Sequence, residues 1–247
     1  DKTEMNELAL VSMAGIDIDP KSGKHTVYYQ IVNPLSGTSA KGGTGGDQAP
    51  VYTYEVSAAS FGEIRSKVYK LLPRNLFVAH TKALLISRRA AEHGIREIVD
   101  FFEIQPNGRA SIPILIVDGS FSQVMKTFTP LETTPADSID TRIDLLSRKS
   151  LYVGKHIRVS DVVERMERSD WIVLPMIELT TKEPPPKSTD RSSTINANQS
   201  NFIISGGAVF QKYRMVGELN DEQLVWYNLL NGERGHHVQR FEAEGKQ

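Results

Sequence analysis

Short apolar runs rich in β-branched residues alternate with amphipathic segments along the first 179 residues of the chain. The runs have the length of strands, whereas the segments between them repeat apolar residues at the i, i+3, i+4, i+7 spacing of a helix. Pro113 to Val117 is such a run, and residues 95–102 are such a segment. A chain with this pattern must bury its strands in a sheet and pack its helices on that sheet, which restricts it to an α/β or α+β fold.

The chain opens with a predicted hairpin over residues 7–33, with its turn between Asp19 and Lys24. A hairpin pairs two strands antiparallel, so the sheet cannot be purely parallel. We therefore predict a first domain over residues 1–179 that is α+β (mixed α/β) in class, with a mixed β-sheet and helices packed on it.

Residues 180–200 differ sharply in composition from what precedes them. They contain three consecutive prolines and many Ser, Thr and Asn residues, with almost no apolar side chains. This composition is typical of an exposed linker, stiffened locally by polyproline geometry. Residues 201–247 are predicted to begin a second, smaller and incomplete α+β domain, formed by a hairpin and a helix that Asn220 caps.

Charge and composition exclude several classes of function. The chain has 29 basic and 30 acidic residues, so no nucleic-acid partner is expected. It has no cysteine, which excludes disulfides, thiolate zinc sites, iron–sulfur clusters and a cysteine nucleophile. Apolar runs such as Trp171 to Leu174 fall far short of the ~20 residues that span a bilayer. Since no signal peptide precedes Asp1, we expect a soluble chain that is processed or trimmed.

The motifs that usually accompany chemistry have structural explanations here. The glycine cluster 42–46 lacks the following Lys-Ser/Thr of a phosphate-binding loop, and we expect a flexible surface loop. The histidines lack the spacing of metal ligands, and the adjacent His236 and His237 face opposite sides on a strand. Paired carboxylates such as Asp137 and Asp140 lie in the first turns of predicted helices, where they stabilise the helix dipole. We expect no catalytic residue, no cofactor-binding residue and no metal ligand.

Four segments, in this order, resemble the C-subunit lipoproteins of bacterial spore germinant receptors, the Ger(x)C family. DKTEMNELALVSMAGIDID looks like the start of these proteins, and FVAHTKALLISRRAAEHGIREIVDFF is similar to their segment with H-x-K and A-x-x-G-I. WIVLPMIEL is similar to their strand before the linker. SGGAVFQKYRMVGELNDEQ resembles their most diagnostic block, G-x-A-V-F-x-x-x-x-[ML]-V-G-x-L.

The resemblance implies a non-enzymatic lipoprotein subunit on the outer face of the spore inner membrane. Such a subunit works with the A and B subunits of a nutrient germinant receptor and is required to trigger germination. Two departures stand out: family members carry an acylated cysteine just upstream of the position of Asp1, and they continue through a third domain. Both features are missing here, which is what a soluble fragment of a longer protein would show.

Three functions remain open at this point. The first is a receptor subunit whose surfaces bind other proteins, the second is a module that captures the germinant (an amino acid or a sugar), and the third is a cryptic hydrolase. A concave pocket favours the second, and a buried carboxylate pair with perturbed pKa values favours the third. For the first, we predict the loop 36–50 and the hairpin Ala208 to Gly217 as the interface. Phe210 and Met215 are the candidate anchors, although such strand residues are more often core.

Overall fold

The computed structural model describes residues 8–33, 50–103, 111–127, 134–151, 157–168, 171–180, 202–233 and 235. The strands in these residues are β1 (Leu8–Asp19), β2 (Lys24–Val32), β3 (Val51–Ala58), β4 (Asn75–Phe77), β5 (Ala83–Ser87), β6 (Ile114–Val117), β7 (Trp171–Leu179), β8 (Phe202–Gln211) and β9 (Arg214–Leu219). The helices are α1 (Phe61–Leu71), α2 (Arg88–His93), α3 (Arg96–Glu103), α4 (Phe121–Lys126), α5 (Pro135–Lys149), α6 (Val159–Glu167) and α7 (Asp221–Leu230).

These strands form one mixed sheet in the order β3-β2-β1-β5-β6-β7-β8-β9, with β4 paired to the start of β1. The central strands β1, β5, β6 and β7 run parallel to one another. Antiparallel strands extend the sheet on both sides, β2 and β3 beyond β1, and β8 and β9 beyond β7. The predicted mixed sheet with packed helices is confirmed.

The two innermost strands, β5 (ALLIS) and β6 (ILIV), are apolar at every position but Ser87, without alternation, and that pattern decides the layering. Every residue of β5 and β6 is buried. Because successive side chains of a strand point to opposite faces, such a strand needs cover on both faces of the sheet. The structure supplies that cover with helices on each side.

The two faces of the sheet have separate cores. On one face, Leu84 and Ile86 of β5 join a cluster that includes apolar residues of α1, α2, α3 and α6. On the other face, Ala83 and Leu85 join a cluster that includes apolar residues of α4 and α5. Successive side chains of β5 therefore pack alternately into the two cores.

Strands β7 and β8 lie on opposite sides of the predicted linker, yet they pair with each other. Their register runs from Trp171 opposite Gln211 to Leu179 opposite Phe202. Residues 202–219 thus complete the sheet that the earlier residues begin, which differs from the prediction of a separate second domain from 201. Strand pairing and a shared core override the change in composition between them. Residues 181–201 and 236–247 lie outside the described residues.

Helix α7 begins as the sequence predicts and packs where β8 has no side chain. The Asn220 side chain accepts from the Gln223 backbone N–H at 2.9 Å, and the Gln223 side chain accepts from the Asn220 N–H at 3.0 Å. A Cβ placed on Gly207 would lie 2.4 Å from Val173 Cγ1 and 3.2 Å from Leu224 Cδ1. The bare backbone at this position is what lets β7 and α7 approach β8 so closely.

We expect Gly207→Ala to lower the free energy of unfolding by about 1–3 kcal/mol, because the stiff valine on β7 cannot move aside without strain. Urea unfolding followed by circular dichroism measures the change. Gly217→Ala is the matched control, since nothing lies within 4 Å of a Cβ at that position. Loss of stability in one common transition fits a single sheet, whereas a separate transition for residues 202–230 would contradict it.

Asp137 ties the start of α5 to the segment before β5. The Thr134 hydroxyl donates to its carboxylate at 2.7 Å, and the Lys82 ammonium forms an ion pair with the same group. Burial alone would raise the pKa of Asp137, but these two donors outweigh it and the net pKa lies below the ordinary 3.8. The ionised carboxylate therefore stabilises the folded state.

Asp137→Asn should lower the free energy of unfolding at pH 7 by about 1–2 kcal/mol. Since the folded pKa lies below the unfolded 3.8, this stabilisation is present above 3.8 and is lost as the pH falls through the folded value. Unfolding curves of both proteins between pH 7 and strongly acidic pH should therefore converge at the acidic end. Asp140→Asn, a residue with no described ion pair, is the control. A gap that stays constant with pH would contradict the assignment.

Candidate functional site

The two residues predicted as interface anchors are core residues. Phe210 is fully buried and Met215 is 6% exposed, and the two lie opposite each other across the β8–β9 pair. Both belong to the core cluster that includes apolar residues of α1, α2, α3 and α6. Neither can touch a partner in this fold, so the prediction that they anchor an interface is wrong.

The alternation of β8 contains the signal that these residues are core. Ala208 and Phe210 are two residues apart and both are fully buried on the same face. In the hairpin Ala208 to Gly217, the exposed apolar side chain is instead Val216, which is 52% exposed. Of the predicted loop 36–50, all but its last residue lies outside the described residues. The hairpin as an interface stays a prediction.

A network of charges lies at the carboxyl ends of the central strands, which is where open α/β sheets usually bind ligands. The Asp17 carboxylate pairs with the Arg89 guanidinium through two hydrogen bonds and accepts a third from the Ser87 hydroxyl at 2.6 Å. The Asp17 side chain is only 12% exposed. Hydrogen bonding to Asp17 raises the pKa of Arg89, and the pair joins β1 to the start of α2.

Arg88 extends this network towards the edge of the sheet. Its guanidinium lies 3.0 Å from Glu92, 3.3 Å from Asp118 and 2.7 Å from Glu218. The hydrogen bond to Glu92 is the main cause that raises the pKa of Arg88, and Asp118 and Glu218 contribute less. Three carboxylates thus share the single Arg88 cation, and the network connects the end of β6, α2 and β9.

A cavity of about 530 Å³ lies where four distant segments of the chain meet. These segments are the β1–β2 turn, the α2–α3 junction, the end of α6 and the β8–β9 turn. The lining residues are Ile18, Gly23, His25, His93, Gly94, Arg96, Glu97, Met166, Lys212, Tyr213 and Arg214. We take this cavity as the candidate functional site, since it combines a concave shape with convergent polar groups.

The β8–β9 turn presents its side chains to the cavity from a strained backbone. Lys212 and Tyr213 have φ values of 48° and 63°. Turns with two positive φ values usually contain Asn-Gly, because a Cβ in this region costs about 1–2 kcal/mol per residue. The turn is held by the Tyr213 N–H, which donates to Met166 Sδ at 3.2 Å, and by the Tyr213 carbonyl, which accepts from the Ile95 N–H at 2.8 Å.

The lining of the cavity carries an excess of positive charge. Arg96, Lys212 and Arg214 line it together with one carboxylate, Glu97, which lies 3.6 Å from His25 Nε2. No ion pair between described residues involves any of the three cations. The Arg96 guanidinium lies 5.5 Å from the centre of the Tyr213 ring, in cation–π contact.

Tyr213 is a neutral phenol in these surroundings. Burial raises its pKa, the Arg96 cation opposes that effect, and the nearby carboxylates of Asp100, Glu167 and Glu103 add to it. The net pKa lies above the ordinary value of 10.0, so the hydroxyl keeps its proton at physiological pH. The hydroxyl can therefore serve as a hydrogen-bond donor.

The described part of the chain contains neither a metal-ligand cluster nor a helix suited to crossing a membrane. Within it, no three His, Cys, Asp or Glu side chains are grouped so that they could hold a metal ion. No helix within the same ranges is both long enough and apolar enough to cross a membrane. His236 and His237 lie outside those ranges.

This chain is similar to curated spore germination proteins. Spore germination protein KC of Bacillus subtilis (strain 168) is 26% identical over 169 residues, 67% of this chain and 41% of that protein. YfkR, a provisionally named spore germination protein of the same organism, is 26% identical over 226 residues, 91% of this chain and 55% of that protein. The chain thus spans about half the length of these curated relatives.

A solved structure and a family model complete the comparison. The crystal structure of the GerBC protein gives a TM-score of 0.46 at 13% identity, over 94% of this chain and 60% of that chain. The family model described as the spore germination protein N-terminal domain matches residues 1–179. Since that match covers well over half of the chain, the chain belongs to this family, the Ger(x)C spore germination proteins, as its sequence segments predict.

Proposed function

We propose that this chain is part of a non-enzymatic subunit of a nutrient germinant receptor, with the receptor's A and B subunits as its partners. The observation that carries the proposal is the match of residues 1–179 to the spore germination protein N-terminal domain. In this role the subunit is required to trigger germination, and its surfaces bind other proteins of the complex.

The charge network at the carboxyl ends of the strands supports a binding role over a catalytic one. A general acid or base needs a proton that it can exchange with substrate. Asp17 is instead held by two hydrogen bonds from Arg89, and Asp118 and Glu218 share Arg88. These groups act as structural ties between strands and helices.

The proposed location is the outer face of the spore inner membrane. The anchor in this proposal is a lipidated cysteine upstream of Asp1 in the precursor, as the resemblance to Ger(x)C lipoproteins implies. A diacylglyceryl group provides two acyl chains, and two membrane-binding signals are what stable anchoring requires.

A second candidate function is that the subunit itself captures a germinant. The cavity between the β1–β2 turn, the α2–α3 junction and the β8–β9 turn favours it, because small-molecule sites are concave and present a few convergent polar groups. The two candidates are compatible, since a receptor subunit can bind both partners and a ligand.

Deletion of the encoding gene should make spores unresponsive to at least one nutrient germinant, with the response restored by the intact gene. The measurement is the loss of optical density of a spore suspension after nutrient addition. The A and B subunits should co-purify with the tagged full-length protein from spore membranes. Deletion spores that respond normally to every nutrient of the parent strain would contradict the proposal.

Val216→Lys in the full-length protein should leave the fold intact, because the side chain is 52% exposed. If the hairpin Ala208 to Gly217 is the interface, this charge should weaken co-purification of the partner subunits about tenfold or more, as at an interface hot spot. Leu71→Lys is the matched control, an apolar side chain 51% exposed at the end of α1. Equal recovery of partners with both variants would remove the hairpin from the interface.

A further inference from the structure

We infer that the cavity lined by Arg96, Lys212 and Arg214 binds a small organic anion, with a carboxylate or phosphate group held by these three side chains. The inference concerns the same cavity as the second candidate function and names the chemical class of its ligand. It holds whether or not the ligand is the germinant.

Three cations from α3 and the β8–β9 hairpin line the same cavity. Glu97 is the one carboxylate among the named lining residues, and Asp100, Glu103 and Glu167 act on Tyr213 from farther out. Like charges gathered in this way repel one another, and none of the three has a described carboxylate partner. An anion placed among them relieves that repulsion, and guanidinium groups bind carboxylate and phosphate oxygens in pairs.

The backbone of the β8–β9 turn is strained. A backbone held in a sparsely populated region persists only where its surroundings fix it, and such residues cluster at binding sites. Lys212 and Tyr213 adopt positive φ values that an Asn-Gly turn would adopt without strain. The turn therefore retains a cation and a phenol at a cost in stability, and both side chains line the cavity.

The start of α3 reaches the same cavity. Gly94, Arg96 and Glu97 are among the lining residues, so the first turn of the helix borders it. Ile95, which precedes the helix, has no side-chain oxygen to cap the first backbone N–H groups. The positive end of the helix dipole adds to the three cations and favours an anion at this position.

The volume of the cavity indicates the size of the anion that fits. Its volume of about 530 Å³ lies within the ~300–1,000 Å³ of small-molecule sites and exceeds what an inorganic ion fills. Ile18 and Met166 contribute apolar surface to the wall. The ligand class is therefore an anionic group attached to a small apolar or aromatic body.

Four probes with the same ring and different charge test the inference on the purified chain: phenyl phosphate, benzoate, benzyl alcohol and benzylammonium. Titration calorimetry, or amide shifts of Gly23 and Gly94 in NMR spectra, measures binding. The two anions should bind saturably below about 10 mM and about tenfold or more tighter than the alcohol and the cation. Absence of saturable anion binding, or equal binding of all four probes, would overturn the inference.

Charge-neutralising variants locate the binding. The triple variant R96Q/K212Q/R214Q should weaken anion binding about tenfold or more, while the fold is retained because all three side chains are exposed. The matched control is R65Q/K70Q/R74Q, which removes the same charges from exposed positions in and just after α1. Equal loss in both triple variants would mean a general field effect and would refute the site. If the first triple variant does not fold, R214Q alone should still weaken binding severalfold.

An anionic phosphate can also come from a lipid headgroup, so a vesicle arm separates the two sources. Pelleting with phosphatidylglycerol vesicles but not with phosphatidylcholine vesicles, lost in R96Q/K212Q/R214Q and retained in the control, would support the anion site and assign it to a membrane surface. If the anionic probes compete with each other for the chain and the chain pellets with neither kind of vesicle, the result would support a site for a soluble ligand. These assays need no spores, so their outcome is independent of the germination tests.

Discussion

Burial on both faces is the constraint on which the rest of this structure depends. A strand such as Ile114–Val117, apolar at every position and buried at every position, is stable only between two helical layers. The apolar residues of six helices meet that need, with α1, α2, α3 and α6 on one side and α4 and α5 on the other. The charge network lies at the carboxyl ends of the central strands, and the cavity lies where the turns of the outer antiparallel strands meet the helices.

The local parts of this fold could be predicted from the sequence, whereas the choice of strand partners could not. The caps at Ser60 and Asn220 depend on residues three positions apart, and both are formed. Helix α4 was not predicted, because its six residues are too few for a clear period, although Phe121, Val124 and Met125 are spaced for one buried face. The pairing of β7 with β8 depends on long-range packing, which the polar segment between them conceals.

The candidate site was harder to predict than the fold. The hairpin that contains Lys212 was predicted, but the positive φ values of its turn follow from contacts with Met166 and Ile95 that lie far away in sequence. The lining of the cavity is drawn from residues as distant as Ile18 and Arg214, and no spacing rule links them. Phe210 differs, since its spacing of two residues from Ala208 already indicated a shared core face.

The central position of β1 has a consequence for how the chain is made. β1 pairs at once with β2, its neighbour in sequence, but its other edge waits for β5, where Met13 meets Ala83, 70 residues later. Ribosomes add roughly 5–20 residues per second, so that edge stays open for several seconds during synthesis. An unpaired apolar edge is a template for wrong pairing with other chains, so the incomplete chain is open to such pairing until β5 is added.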